Sequence, residues 1–141
     1  MDHYTFKSIS EQAKAIEENK LSPLTLLENY LQNINNHNES DNIFSEVFNE
    51  ICLKEAKESE NRQKRGLRKS FLDGIPINWK DLFDIKGKAC EGGSQLLTGR
   101  IAKTDATIVK NAQNAGLISL GKTHLTELAF SGLGVNPKTA T

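Results

Sequence analysis

Apolar positions near the amino terminus recur at helical spacing. Ile9, Ala13 and Ile16 fall on one helical face. Ser8 and Glu11, just ahead, have the spacing of a capping box, in which hydroxyl and carboxylate each satisfy a free backbone donor. Leu21-Ser22-Pro23 interrupts this helix and starts another, with Ser22 as N-cap and Pro23 at the first helical position. Leu24, Leu27, Leu31 and Ile34 make its apolar stripe. The polar stretch from Asn35 to Asn42 reads as a loop, and Ile43 to Phe48 as a short strand or extended segment. Ile51 to Arg65 reads as a charged surface helix stopped by Gly66.

The texture changes after Ser70. Leu72-Asp73-Gly74 is a turn, and Ile75-Pro76-Ile77-Asn78-Trp79 is an extended apolar segment. Pro76 lacks a donor, which places that strand at an edge or paired on one side only. Gly87 to Arg100 is glycine-rich with little periodicity, a loop whose backbone packs closely against something. Thr104 or Asp105 caps a helix through Ala115, with Ile108, Val109, Ala112 and Ala115 buried and Gly116 as its C′ residue. Leu117 to Leu120 is a short buried strand, and Thr123 to Phe130 another helix. Helices alternating with strands make this an α/β chain with a mixed or parallel sheet.

Composition narrows the function classes. The chain has 141 residues, 37% apolar and 26% charged, enough for one globular domain. Its basic and acidic residues cancel, so no global field favours nucleic acid or an anionic membrane. The apolar runs are far shorter than the ~18 residues of a spanning helix, and the first residues do not form a signal peptide. Cys52 and Cys90 have no disulfide-framework or zinc spacing and read as reduced thiols of a cytoplasmic protein. The basic run Lys64 to Lys69 has no interleaved aromatics and reads as a solvated helix end.

Gly116 to Thr123 spells the phosphate-loop pattern G-x-x-x-x-G-K-T letter for letter. That loop needs a strand before it, a helix after it and small residues between, so that backbone donors curl around phosphate. Here a helix precedes, Gly116 reads as its cap, and Leu117-Ile118-Ser119-Leu120 looks like the strand itself. The nucleotide-binding reading is set aside.

The chemistry is carried by Gly74-Ile75-Pro76-Ile77-Asn78-Trp79-Lys80-Asp81-Leu82-Phe83-Asp84. Lys80 ends the apolar segment and precedes Leu82 and Phe83, so its stem is expected to be at least partly buried. Desolvation disfavours an ammonium, and this is how a lysine becomes a usable base near neutral pH. On composition alone the plainer reading is a lysine paired with Asp81 or Asp84. Asp81 and Asp84 themselves read as bracing the turn, and His124 as a polar surface or capping residue.

Gly74 to Asp84 resembles the lysine motif of amidase-signature enzymes, and the resemblance continues in order. Gly92-Gly93-Ser94 with Leu96-Leu97 is similar to the glycine-serine loop after that lysine, and Asp105 to Val109 to the start of the next family helix. Ala115 to Thr123 resembles the strand behind it, and Thr126 to Gly132 a helix end bordering the substrate site. Leu21-Ser22-Pro23 and its helix fit the family's opening. The core of the resemblance runs from about residue 22 to residue 141.

The resemblance implies the amino-terminal portion of a single amidase-signature domain over residues 1–141. It is an α/β fold with helices packed around a mixed sheet, incomplete in this chain. It implies a Ser–cis-Ser–Lys triad that hydrolyses a carboxylic amide, with Lys80 as the lysine and both serines in a later segment that nothing here matches. The chain alone is therefore expected to be inactive. Ser94 and Ser131 lie in other family segments and are not promoted to nucleophile; Phe130, Ser131 and Gly132 are the substrate-binding candidates. The expected partner is a small-molecule amide, without nucleic acid, membrane, metal or organic cofactor. The alternatives are a stand-alone amidase, including a homodimer, and the A subunit of glutamyl-tRNA(Gln) amidotransferase with its partner subunits. Trp79 to Asp84 and Phe130 to Gly134 look closer to stand-alone amidases. A third alternative is a non-catalytic remnant or binding module.

Overall fold

The computed structural model describes residues 3–139. Its helices are α1 (Ile9–Glu17), α2 (Pro23–Asn36), α3 (Ser40–Ile43), α4 (Asn49–Lys64) and α5 (Thr107–Ala115), and its strands β1 (Phe44–Val47), β2 (Pro76–Lys80) and β3 (Ile118–Thr123). The strands form a sheet in the order β1-β3-β2. β1 runs antiparallel to β3, with Glu46 opposite Lys122 and Val47 opposite Gly121. On the other side of β3, the Ile118 amide donates to the Ile75 carbonyl at 2.9 Å and the Asp81 amide to the Thr123 carbonyl at 3.1 Å. Residue numbers rise together along that pairing, so β2 and β3 are parallel and the small sheet is mixed. β2 is an edge strand, as the missing donor of Pro76 requires.

The contacts divide the chain into two compact units. One runs to His37 and resumes at Phe48–Ile77 and Ala112–Leu120; the other is Asn38–Val47, Asn78–Asn111 and the residues from Gly121 onward.

In the first unit the local signals act as the sequence predicts. The Glu11 amide donates to Ser8 Oγ and the Ser8 amide to Glu11 Oε2, closing the capping box. Ser22 Oγ accepts from the Leu24 and Thr25 amides and donates to Glu60 on α4. The buried faces are rotated from the expected stripes. Ile9 is exposed while Gln12 is buried, its amide donating to the Tyr4 and Lys7 carbonyls and the Tyr30 hydroxyl. On α2 the core side is Pro23, Leu26, Leu27 and Leu31. α4 is no plain surface helix: Cys52, Ala56 and Ser59 are buried and the helix packs on α2.

The polar centre of this unit is Asp73, which is fully buried. Its carboxylate accepts from Arg62 Nε at 2.8 Å and Nη2 at 2.7 Å, from Ser59 Oγ at 2.7 Å and from the Lys69 amide at 2.8 Å. Burial pushes the Asp73 carboxyl up, and the Arg62 guanidinium, the Lys69 amide and the Ser59 hydroxyl together hold it below its ordinary value. Gly116, at φ 89°, lies against this carboxylate; a Cβ there would stand 2.5 Å from Asp73 Cγ. The basic run after α4 is thus partly structural, because Arg68 Nη2 also donates to the Phe71 and Asp73 carbonyls.

Two expected helices differ. α5 begins at Thr107 rather than after Thr104 or Asp105, and Asp105 Oδ1 instead accepts the Lys86 amide. Along α5, Val109 is buried and Ile108 is exposed. The helix expected over Thr123 to Phe130 does not form: β3 continues to Thr123, and a loop follows with one 3₁₀ turn at Glu127–Ala129. Leu128 and Ala129 have φ of 51° and 59°, left-handed values that an α-helix does not contain. The donors of this segment go elsewhere: the Leu128 amide bonds the Gly92 carbonyl, and the Ser131 amide the Thr126 hydroxyl.

Candidate active site

Strand alternation places Lys80. At the end of β2, Trp79 turns inward and is 3% exposed, its ring edge-to-face with Phe83 at 5.9 Å. The next residue of a strand faces the other way, so Lys80 is exposed, contrary to the expected burial of its stem. Nor does it pair with Asp81 or Asp84. Its Nζ donates to the His124 carbonyl at 2.7 Å.

Lys80 opens on a cavity of about 530 Å³ within the second unit, which Leu82, Thr126, Ser131 and Gly132 also line. Of the residues expected at the site, Lys80, Ser131 and Gly132 therefore come together. Phe130 does not line this cavity and is 93% exposed. Thr126, marked in the sequence only as the start of the segment that ends at Gly132, shapes this rim: its hydroxyl accepts the Ser131 amide and donates to the Ser131 carbonyl, both at 3.3 Å.

Asp81 fixes the chain immediately after Lys80. Its Oδ1 pairs with Lys122 Nζ at 2.8 Å, its Oδ2 accepts the Glu91 amide at 3.2 Å, and its carbonyl accepts the Gly92 amide at 3.0 Å. Lys122 is 1% exposed and also donates to the Ala89 carbonyl. The lysine of the phosphate-loop pattern is thus a buried cross-link inside β3, and Gly121 beside it is required by the close approach of β1: a Cβ would meet the Glu46 carbonyl oxygen at 2.5 Å. Asp84 is held bidentately by Arg100, at 2.6 and 2.9 Å, and this guanidinium brings its carboxyl down to about 2. Both aspartates brace the turn.

The glycine-serine loop is pinned with similar completeness. Ser94, fully buried, donates to Glu127 Oε1 at 2.7 Å and accepts the Leu96 amide. Asn136, 2% exposed, donates to the Gly93 and Leu125 carbonyls. Sequence reasoning missed Asn136, which stands among polar loop residues with no periodicity to mark it. Lys122 carried a signal: a lysine inside an apolar strand needs a buried partner. Chemically, the site offers one amine facing an open concavity, with one N–H directed at a fixed carbonyl and its other positions able to exchange a proton with a group in the cavity.

A family model described as Amidase matches residues 25–141. The A subunit of the glutamyl-tRNA(Gln) amidotransferase of Nitrosococcus oceani is 36% identical over 124 residues, 88% of this chain and 26% of that protein. Among solved structures, an amidase superposes with a TM-score of 0.85 at 28% identity, covering 95% of this chain and 30% of that one. The native peptide amidase of Stenotrophomonas maltophilia superposes with a TM-score of 0.79 at 29% identity, covering 89% and 26%. The chain spans about a quarter of the length of the curated relatives it matches.

Proposed function

The chain belongs to the Amidase family, and we propose that its residues form the amino-terminal portion of one amidase domain that hydrolyses a carboxylic amide with Lys80 as general base. The observation that carries this reading is the opening of the Lys80 amine on the cavity that Ser131 and Gly132 also line. In this mechanism the neutral Lys80 Nζ takes a proton from a bridging serine, which takes one from the nucleophilic serine as its Oγ attacks the amide carbonyl. Backbone amides stabilise the oxyanion. The C–N bond breaks, the proton passes to the departing amine or ammonia, and water then cleaves the acyl ester to the acid. Both serines belong to polypeptide outside residues 1–141. Ser131, Gly132 and Phe130 border the acyl group, and Phe130 gains its cover from that same polypeptide.

The test uses the full polypeptide encoded by the gene, read through past Thr141, with ammonia release from small carboxylic amides as the assay. Lys80→Met should lower turnover by at least about 100-fold, the scale of a general base. Unaltered turnover in that variant would sink the assignment of Lys80.

A second reading, the A subunit of a glutamyl-tRNA(Gln) amidotransferase, is favoured by the name of the curated relatives at 34% and 36% identity. Glutamine hydrolysis that rises on adding the tRNA-binding partner subunit supports it. Hydrolysis of simple amides without any partner supports the stand-alone enzyme.

A further inference from the structure

An exposed lysine at the end of a strand ordinarily samples many rotamers, and holding it in one costs side-chain entropy. Lys80 nevertheless has a fixed acceptor, the His124 carbonyl at 2.7 Å. The acceptor is backbone, so its direction depends on how the His124 peptide is held. Two contacts within the second unit hold it. The His124 amide donates to the Ile43 carbonyl at 3.0 Å, and the imidazole Nε2 stands 3.0 Å from the Asp41 carbonyl oxygen. A carbonyl has no hydrogen to give, so Nε2 carries the proton of this bond.

Both anchors lie in α3, a four-residue turn. Two residues of that turn, Asn42 and Ile43, line the cavity on which Lys80 opens. From this arrangement we infer that His124 is a positioning residue: its carbonyl aims the Lys80 amine, and its ring fastens the α3 wall of the cavity to the same peptide. The amine and that wall are thereby tied to one residue. An sp³ nitrogen with one N–H committed to a carbonyl has its remaining positions confined, so the proton-accepting direction is set before any substrate arrives. The inference concerns the orientation of Lys80, and its bearing on catalysis rests on the proposed role of Lys80 as base.

The experiment measures Lys80 directly. The chain is treated with a limiting amine-acetylating reagent, and the rate at Lys80 is read by peptide mass spectrometry against exposed Lys57. In His124→Phe, which keeps a ring without Nε2, and in His124→Ala, the Lys80/Lys57 ratio should rise about fivefold, the scale of one net hydrogen bond. In His124→Gln the side-chain amide reaches as far as Nε2, and the ratio should return to wild type. Cys52 and Cys90, both buried, should stay closed to a thiol reagent in all three. Unchanged ratios in the Phe and Ala variants, or equal rises in all three, would overturn the inference. So would loss of thiol protection in Phe and Ala alike, which would make His124 a folding residue instead. The catalytic premise is read separately: hydrolysis surviving Lys80→Met in the longer polypeptide removes the base, while the acetylation ratios still report on His124.

Discussion

A carboxylate sealed from water, as Asp73 is, depends on its cation. Arg62→Met leaves Asp73 buried without a positive partner, and the expected cost is about 3 kcal/mol, the low end for a broken buried pair because Arg62 keeps partial exposure. The shift also fixes a pH dependence. The folded carboxyl lies below its ordinary value of 3.8. Its stabilising contribution is therefore complete above that value and fades as pH falls through the folded pKa. Urea midpoints followed down through pH 4 should drop for wild type and fall less steeply for Arg62→Met; parallel curves would remove the carboxylate from acid unfolding. The cysteines give a second expectation. Burial pushes Cys52 up to about 11 and raises Cys90, so neither is a ready thiolate. The folded chain should resist a disulfide reagent at pH 7 and react fully in denaturant. Rapid labelling of either thiol in the folded state would contradict the burial described.

At the scale of elements, the readable features were those settled within a turn of helix. Ser8 with Glu11 and Ser22 with Pro23 show their function in adjacent letters, and both caps form. Ser8→Ala should cost about 1 kcal/mol. Ser22→Ala should cost more, because it also removes the hydrogen bond to Glu60 on α4; equal urea midpoints for the two variants would count against that cross-helix bond. Features settled by partners distant in sequence were not readable. Helical spacing over Thr123 to Phe130 is real, but the Gly92 carbonyl claims the Leu128 amide and Asn136 claims the Leu125 carbonyl, backbone groups that a helix would use. The same holds for Lys80. Its apolar neighbours predicted burial, yet the pleat that buries Trp79 sends the next side chain outward. The lysine's candidacy was legible through its segment; its acceptor on His124 was not, since 44 residues separate the two.

On the scale of the whole molecule, the second unit exposes large apolar side chains: Leu96 is 89%, Leu133 86% and Phe130 93% exposed. Soluble proteins keep such surfaces small unless something covers them. If the remaining polypeptide of an amidase domain covers them, Leu133→Asp should leave the unfolding free energy of this chain, from urea titration, within about 0.5 kcal/mol of wild type. The same substitution should destabilise the longer protein by several-fold more. Equal effects in both would mean that Leu133 stays on the surface. This chain alone is expected to release no ammonia from amides, since Lys80 would lack the serines it serves.

The string from Gly116 to Thr123 carries a lesson about how sequence signatures arise. Its first glycine is demanded by the Asp73 carboxylate, its second by the Glu46 carbonyl, and its lysine by Asp81. None of those demands involves a phosphate, and no one of them implies the others. The letters coincide because three unrelated packing constraints fall on eight consecutive positions. Any protein that inherits these contacts inherits the misleading spelling with them, generation after generation, and a letter-matching search will keep returning it as a nucleotide binder.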